Sequence, residues 1–315
     1  MRCTSVILLI FLLAGQAGLC QSSDSVITRA VAAAVRLDSV VITATRQGFD
    51  VEDFIRLVQH DQSLYRAFKN LRFASHRFTA QMEFVDRKGE VRGTYRSENV
   101  QTVDGHCRTM TIVDESASGN FYRGKKEKYR YYTAELYDRV FVTHGRQCAT
   151  ETDTLSDELP EDADKTDSHV SELKKLIFTP GRQAHVPLIG KKTEVFSERM
   201  LPYYDFTIRS AEFAGTPVYV FEAHVSDAFV DKEGKTVFRK LVTYFSKHDF
   251  QVVARRYHLA HRNAIFRFDV QMSVDLTRVD GQYYPTIVRY EGTWNMPGKR
   301  KETGTFEVRL RDFQT

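Results

Sequence analysis

The stretch AIFRFDVQMSVDLTR, from Ala264 to Arg278, decides the fold prediction for this chain. Its apolar side chains take every second position, at Phe266, Phe268, Val270, Met272, Val274 and Leu276. Polar side chains fill the positions between them. Alternation with a period of two is typical of a β-strand that has one buried face and one solvated face. Because most strands have only about 5–6 residues, a strand this long predicts a wide antiparallel sheet that curves around its apolar side.

The sequence after residue 200 repeats this pattern. Further strands are expected at Tyr203–Phe213, Thr216–Val225, Thr236–Ser246, Phe250–Ala260, Gln282–Trp294 and Thr303–Asp312. The connections between them are short and contain Gly, Asn or Asp, which is typical of antiparallel neighbours. We therefore predict a mainly β protein of the α+β kind, with a long-stranded, strongly curved antiparallel sheet or half-barrel and a few capping helices.

The first half of the chain mixes helical and strand periods. Asp50–Arg72 has apolar residues near helical spacing, and Asp50 is placed to cap a helix. The period changes to two from His76 onward. The expected elements here are one helix at Asp50–Arg72, strands at His76–Phe84, Val91–Thr102 and His106–Val113, and a second helix at Thr133–Val142.

An acidic segment interrupts this pattern at Glu151–Asp167, which has eight carboxylates, one lysine and Pro160. Asp162, Asp164 and Asp167 miss the spacing of a calcium-binding loop, and no Gly follows them. We interpret residues 150–168 as a mobile acidic loop, and no metal site is expected.

The N-terminus predicts export. Arg2 precedes the apolar run Val6–Ala14, and small residues follow it, as in a secretory signal peptide. Cleavage after Cys20 or after Ala17 fits, and lipidation of Cys20 is an alternative. No later apolar run is long enough to cross a bilayer. The mature chain is expected in the periplasm or associated with the outer membrane, without a transmembrane span.

Three segments follow from these features: a signal peptide at residues 1–20, a tail or linker at 21–48, and a single β-rich domain at 49–315. Within the second, Leu37–Arg46 resembles the short segment that precedes the plug of TonB-dependent outer-membrane receptors. An ordinary strand or extended linker would have the same composition.

Two cysteines, Cys107 and Cys148, remain if the signal peptide ends at Cys20. An oxidising compartment permits a disulfide between them. Two separate buried thiols are the alternative.

Sequence patterns of catalysis are missing. The chain has no metalloprotease, nucleophile-elbow or phosphate-loop motif. His258 and His261 are an odd number of residues apart, so a strand would direct them to opposite faces. Asp269 and Asp275 share a face but lie about 20 Å apart at the rise of a strand. We expect no enzyme activity and no cofactor. A net charge of +4 without a basic face also argues against nucleic-acid binding.

Aromatic residues are abundant, with 22 Phe and 15 Tyr. Sheet packing explains many of them. The alternative is that the concave side of the sheet forms an apolar pocket with a polar rim. The wall of that pocket would be the opening row, Phe266, Phe268, Val270, Met272, Val274 and Leu276.

Two resemblances bear on function. The run VDGQYYPTIVRYEGTW, from Val279 to Trp294, and FEVRLRDF, from Phe306 to Phe313, resemble the C-terminal strands of periplasmic lipoprotein carriers and outer-membrane lipoprotein-sorting proteins. Phe49–Arg72 together with Lys175–Gly181 resembles an uncharacterised family of exported proteins from Bacteroidetes-type bacteria.

The carrier resemblance implies a half-barrel whose helices cover a cavity for acyl chains. It favours a non-catalytic envelope protein that binds a lipid or a lipoprotein. The alternative function is an envelope assembly or interaction module without a small ligand, which partners an outer-membrane protein.

Overall fold

Long strands dominate the computed structural model of the protein, which describes residues 22–37, 50–124, 128–149, 190–232, 234–262, 267–295 and 301–314. The strands are β1 Val35–Leu37, β2 Ser75–Val85, β3 Val91–Asp104, β4 Cys107–Gly119, β5 Tyr122–Arg123, β6 Lys128–Tyr129, β7 Gln147–Cys148, β8 Tyr204–Phe213, β9 Thr216–Val225, β10 Phe238–Ser246, β11 Val252–Arg262, β12 Arg267–Val279, β13 Gln282–Asn295 and β14 Glu302–Gln314. The α-helices are α1 Ser22–Ala34, α2 Val51–His60, α3 Ser63–Asn70 and α4 Tyr132–Phe141. Short 3₁₀ turns occupy Leu71–Phe73, Gly190–Lys192, Leu201–Tyr203 and Asp227–Phe229.

Twelve strands form one sheet in the order β1-β8-β9-β10-β11-β12-β13-β14-β2-β3-β4-β7. All neighbours are antiparallel except β1 and β8, which are parallel. β5 and β6 form a separate two-stranded sheet. The sheet is curved and does not close. The fold-class prediction of a mainly β protein with a large curved sheet and a few helices is therefore confirmed.

The two faces of the sheet have different environments. Helices pack on the face that we call the covered face: Phe54 of α2 contacts Phe245 of β10, and Phe141 of α4 contacts Phe78 of β2. We call the opposite side the open face. It carries mainly polar side chains, such as Gln271 of β12. Because side chains alternate along each strand, the pairing register between strands assigns every strand residue to one face or the other.

The predicted helix at Asp50–Arg72 is two helices and a 3₁₀ turn, so its continuity was predicted wrongly. Asp50 does cap α2, since its carboxylate accepts hydrogen bonds from the backbone N–H groups of Glu52 and Asp53. Asp61 causes the break. Its carboxylate accepts hydrogen bonds from the backbone N–H and the hydroxyl of Ser63, a local bonding pattern that starts a new helix.

Other predicted boundaries shift by smaller amounts. β4 continues to Gly119, six residues beyond the predicted end at Val113. Gly119 has a φ of +62°, which suits glycine and ends the strand. Part of the segment expected to be a tail, residues 22–37, forms α1 and β1. The proposed signal peptide and the acidic segment at 150–168 lie outside the described residues.

Among the helices that the structure describes, none is both long enough and apolar enough to cross a bilayer.

Candidate ligand-binding site

The apolar row predicted from the sequence lies on the covered face of β12. Phe268, Val270, Val274 and Leu276 are buried there, while Met272 is only partly buried. Phe266 lies outside the described residues. Four of the five described side chains are therefore packed in the core, and Met272 stands out from them.

Met272 belongs to a row of side chains that crosses the middle of the covered face. We call this set the central row, and the register pairs each member with the next: Tyr257, Met272, Tyr290, Phe306, Met82 and Tyr95. Tyr257, Tyr290, Met82 and Tyr95 are at most 8% exposed. Met272 and Phe306 are partly exposed. The apolar face therefore has an incompletely filled region at its centre, on either side of Tyr290.

Tyr290 is held firmly between these two positions. Its ring stacks on Phe306 with the centroids 5.0 Å apart, and its hydroxyl accepts a hydrogen bond from Trp294 Nε1. The ring and hydroxyl lie over Gly292, where a Cβ would collide with them. Glycine at this position therefore leaves the space that the Tyr290 ring occupies.

A buried ion pair lies beside the central row. Arg255 of β11 is 1% exposed, and its Nη2 donates to Asp61 Oδ2 at 3.1 Å. Its Nε donates to Thr243 Oγ1 at 3.1 Å. Asp61 also lies at the junction of α2 and α3, where it bonds Ser63, so this pair ties the helix junction to the sheet. An ion pair in such a site is costly to break, because the remaining charge would be buried alone.

A buried carboxylate holds the start of α4 on the same face. Glu302 accepts hydrogen bonds from the backbone N–H groups of Tyr132 and Thr133, at 2.7 and 2.9 Å, and from the Thr133 hydroxyl at 2.5 Å. Burial nevertheless dominates and raises the pKa of Glu302 above its ordinary value. A carboxylate at a helix N-terminus also complements the helix dipole.

The phenols of the central row are neutral at ordinary pH. Burial raises the pKa of Tyr95 and of Tyr257 to about 12. Burial also raises the pKa of Tyr290. The row therefore presents aromatic rings, thioethers and uncharged hydroxyls to anything that enters the covered face.

A hollow of about 840 Å³ crosses the same six strands. The central row contributes to its lining together with the two residues that flank each member, such as Gln271 and Ser273 beside Met272. Residues two positions before or after a member of the central row share the covered face with it, but they do not line the hollow. No residue of the helices lines it either. The hollow therefore lies on the open face, with the backbone of the central row as its floor.

The side chains along this hollow form two rows of different charge. One row has the carboxylates Glu83 and Glu291, and the other has the guanidinium groups Arg96, Arg256 and Arg289. Several of the cations are already paired. Arg289 Nε donates to Glu307 at 2.7 Å, and Arg256 donates to Asp275. Opposite charges balance along the hollow, so it has no strong preference for either sign.

The two histidines considered in the sequence analysis lie on opposite faces of the sheet. His258 hydrogen-bonds Asp269 at 3.0 Å on the open face, while His261 is buried near Phe268 on the covered face. The prediction that the two histidines point to opposite faces is confirmed. Among the described residues, no group of three or more His, Cys, Asp or Glu side chains could hold a metal ion.

Cys107 and Cys148 form a disulfide in the structure. They are also register partners between β4 and β7. The bond lies at the end of the sheet and far along the strand order from β12, so it belongs to the scaffold and not to the candidate site.

Sequence reasoning missed Arg255, Asp61, Tyr290, Phe306 and Glu302. One signal could have identified Arg255: along β11, Val253, Tyr257 and Leu259 share its face and are all apolar. A single arginine within an apolar alternation indicates a buried charge that needs a partner. The partner itself lies 194 residues away in sequence, and no local pattern predicts it.

Comparisons with known proteins give only distant structural likenesses. No protein-family model and no curated protein matches the chain. Among solved structures, it is similar to a DUF1329 family protein from Desulfovibrio piger, with a TM-score of 0.24 and 9% identity over 81% of this chain and 90% of that chain. It is also similar to an outer membrane lipoprotein-sorting protein domain from Vibrio parahaemolyticus, with a TM-score of 0.27 and 10% identity over the same shares.

The second neighbour is of the class that the C-terminal strands resemble in sequence. Likenesses at these TM-scores carry no argument about ligand or activity. The resemblance to an exported family from Bacteroidetes-type bacteria is not tested by them and stays a prediction.

Proposed function

We propose that the protein is a non-catalytic, exported binding protein of the bacterial envelope that holds a lipid or an acylated ligand against the central row. One observation carries the proposal. Met272 and Phe306 stay partly exposed at the centre of a face whose other apolar side chains are almost all buried. An apolar surface that the protein leaves incompletely covered favours an apolar ligand.

The chemistry of the central row suits an acyl chain. Thioethers of methionine adapt to flexible apolar partners, and the aromatic rings of Tyr290 and Phe306 offer wide apolar surfaces. Each methylene that moves from water into such surroundings contributes about 0.8 kcal/mol. A chain of several methylenes can therefore bind without any charged contact.

The envelope location rests on two features of the chain. Residues 1–20 have the pattern of a secretory signal peptide. The disulfide between Cys107 and Cys148 is of a kind that persists in oxidising compartments such as the periplasm. Both support an exported protein.

A pair of tryptophan substitutions tests the binding site. Met272→Trp should fill the gap on the covered face and reduce the uptake of a pyrene-labelled fatty-acid methyl ester by at least about tenfold. Gln271→Trp adds the same side chain one residue away, on the open face, and should leave uptake unchanged. Native mass spectrometry of wild-type protein purified from a bacterial envelope would report any lipid that copurifies.

The outcomes separate clearly. Loss of uptake in Met272→Trp alone supports the covered face as the site. Equal losses in both variants would contradict the assignment to this face. A wild-type protein that carries no lipid and takes up no probe would overturn the proposed function.

A second candidate function, an envelope assembly or interaction module, is favoured by the edge of the sheet. β4 pairs with β3 from Cys107 to Gly119 with one bulge at Val113, but among the described residues its other side pairs only with β7, at Cys107 and Arg108. Ile112 and Val113 are 45% and 57% exposed. An unpaired strand edge can accept an added strand from a partner.

The charge of this edge indicates the chemistry of such a partner. Residues 109–119 contain Asp114 and Glu115 and no lysine or arginine. The matching partner is an extended segment of an outer-membrane protein that carries lysine or arginine. Pairing between two copies of β4 is less suitable. The only cation that the strand could place opposite these carboxylates is Arg108, near its start.

A photo-crosslinking amino acid at position 113 tests this candidate in cells. The expected result is a crosslink to one outer-membrane protein, which disappears when Asp114 and Glu115 are both changed to lysine. A crosslinker at Val230, which is 49% exposed outside β4, is the control and should not capture that protein. Equal capture from both positions would contradict an edge-specific partner.

A further inference from the structure

One nitrogen of the buried Arg255 guanidinium has no hydrogen-bond acceptor within bonding distance among the described residues. Nε and Nη2 donate to Thr243 and Asp61, and the Tyr257 hydroxyl lies close enough to interact with the guanidinium, but Nη1 itself makes no hydrogen bond there. The whole residue is 1% exposed. Buried N–H groups are nearly always paired in folded proteins, and an unpaired one costs free energy that a bound group can recover.

Arg255 lies next to the incompletely filled region. In the register, Arg255 is opposite Val274, and Tyr257 is opposite Met272. Arg255 and Met272 are thus diagonal neighbours on the covered face, which places their backbones about 7–8 Å apart. A long guanidinium side chain spans that distance. An acyl chain that lies against Met272 can therefore place its polar end at Arg255.

The charge of Arg255 is already balanced. Asp61 lies 3.1 Å from Nη2 and is itself buried, with its side chain 4% exposed. A second anion beside Asp61 would add like-charge repulsion in surroundings of low dielectric. The spare N–H therefore needs an acceptor oxygen that carries no charge.

We propose that Arg255 Nη1–H donates to the neutral carbonyl oxygen of an acyl ester or acyl amide, so that the ligand is an esterified or amidated acyl chain and not an ionised fatty acid. This inference rests on the proposed function and specifies its ligand. The acyl chain supplies the affinity through the central row, and the carbonyl supplies the discrimination through Arg255.

The test compares four pyrene-labelled probes of equal chain length that differ in the end group: a methyl ester, an N-methyl amide, a methyl ether and a carboxylic acid. The ether is neutral but lacks the carbonyl, so it corrects for hydrophobicity. Wild-type protein at neutral pH should bind the ester and the amide at least about tenfold more tightly than the ether, as expected for one hydrogen bond from a charged donor to a neutral carbonyl. A difference between ester and amide distinguishes the two sources of the carbonyl.

Two variants make the test specific to Arg255. The double variant Asp61→Asn with Arg255→Met removes both charges together, so neither is left buried alone. It should bind the ether as the wild type does and lose the preference for the ester. Asp61→Asn alone leaves Arg255 without its counter-ion, and binding of the carboxylic acid should rise by at least about tenfold relative to the ester. Circular dichroism shows whether each variant is folded.

The result that overturns the inference is equal binding of ester and ether by the wild type, or an ester preference that survives in the double variant. If Asp61→Asn does not fold, the double variant still decides. Failure of the proposed function is distinguishable, since in that case the wild type binds none of the four probes, the ether included.

Discussion

β12 and β4 are both 13 residues long, yet they differ in almost every other respect. β12 lies inside the sheet between β11 and β13, and its covered face carries Phe268, Val270 and Val274, all at most 5% exposed. β4 lies next to the edge, and from Thr111 to Gly119 every side chain is exposed. A paired neighbour on one side is therefore enough for a long strand in this sheet, whereas burial of a strand requires that other elements cover its face.

The two strands also divide the candidate functions. The centre of the sheet has the apolar surface and the buried Arg255, which suit a small ligand. The edge has backbone groups that no described strand pairs with and two carboxylates, which suit a protein partner. Substitutions in β12 should therefore change mainly the stability of the fold, and substitutions in β4 should change mainly the association with a partner.

Truncation of a core side chain in β12 should destabilise the protein most. Phe268 is 4% exposed and stacks on Trp294 with the centroids 5.3 Å apart. Phe268→Ala should lower the free energy of unfolding by about 3–5 kcal/mol, because it removes buried apolar surface and leaves a cavity. Urea denaturation followed by circular dichroism measures the change.

The matched substitution in β4 is Val113→Ala, at a side chain that is 57% exposed. It should change the free energy of unfolding by no more than about 0.5 kcal/mol. A loss at Val113 comparable to that at Phe268 would mean that the edge strand is covered in solution, and the contrast between the two strands would fail.

The next effect concerns the disulfide that fixes the start of β4. Cys107 and Cys148 are 41 positions apart in sequence, and closure of a loop of this length stabilises a fold by about 4 kcal/mol in the chain-entropy model. The double variant Cys107→Ser with Cys148→Ser should lose about 2–4 kcal/mol of unfolding free energy. Thermal unfolding of the wild type with and without a thiol reductant gives an independent measurement, and the serine variant should not respond to the reductant.

Strands with one apolar and one polar face were predicted correctly from the sequence. A strand without this alternation was predicted too short. β9 was predicted at its observed bounds, Thr216–Val225, because its apolar residues recur at regular positions and turns flank it. The last six residues of β4 are Asp, Glu, Ser, Ala, Ser and Gly, which have low strand propensity. They form a strand because β3 pairs with them, and pairing between strands is not a property of either strand alone.

The candidate site was predictable only in part. Met272 was identified through the alternation of β12. The gap around it depends on how helices, β13 and β14 pack, and neither Tyr290 nor Phe306 differs in local sequence from the other aromatic residues of the sheet. The α2–α3 break depends on Asp61, whose role requires a partner that is distant in sequence.

A smaller effect, which depends on pH, is expected from the carboxyl group of Glu302 on the covered face. Glu302 continues the row of Phe268 and Trp294, and burial raises its pKa above the ordinary 4.5. The folded state therefore holds this proton more tightly than the unfolded chain does. The resulting stabilisation is complete below about pH 4.5 and is lost as the pH rises through the higher pKa of the folded state.

Glu302→Gln removes this titration. The unfolding free energy of the wild type minus that of the variant should fall as the pH is raised from below 4.5 to neutral. Urea denaturation at a series of pH values measures this difference. A difference that grows with pH would show that the hydrogen bonds from Tyr132 and Thr133 outweigh burial and lower the pKa instead.

The smallest effect is expected in the backbone of β4 itself and is read by amide hydrogen exchange. In an antiparallel pair, the N–H groups of a strand point alternately to its two neighbours. Since no described residue pairs with the outer side of β4 beyond Arg108, alternate amides between Thr109 and Gly119, on either side of the bulge at Val113, should exchange quickly, while the others are protected by β3. β12 has a neighbour on each side, so its consecutive amides should all be protected. Uniform protection along β4 would mean that another segment covers this edge in solution, and the strand would then resemble β12 in pairing although not in burial.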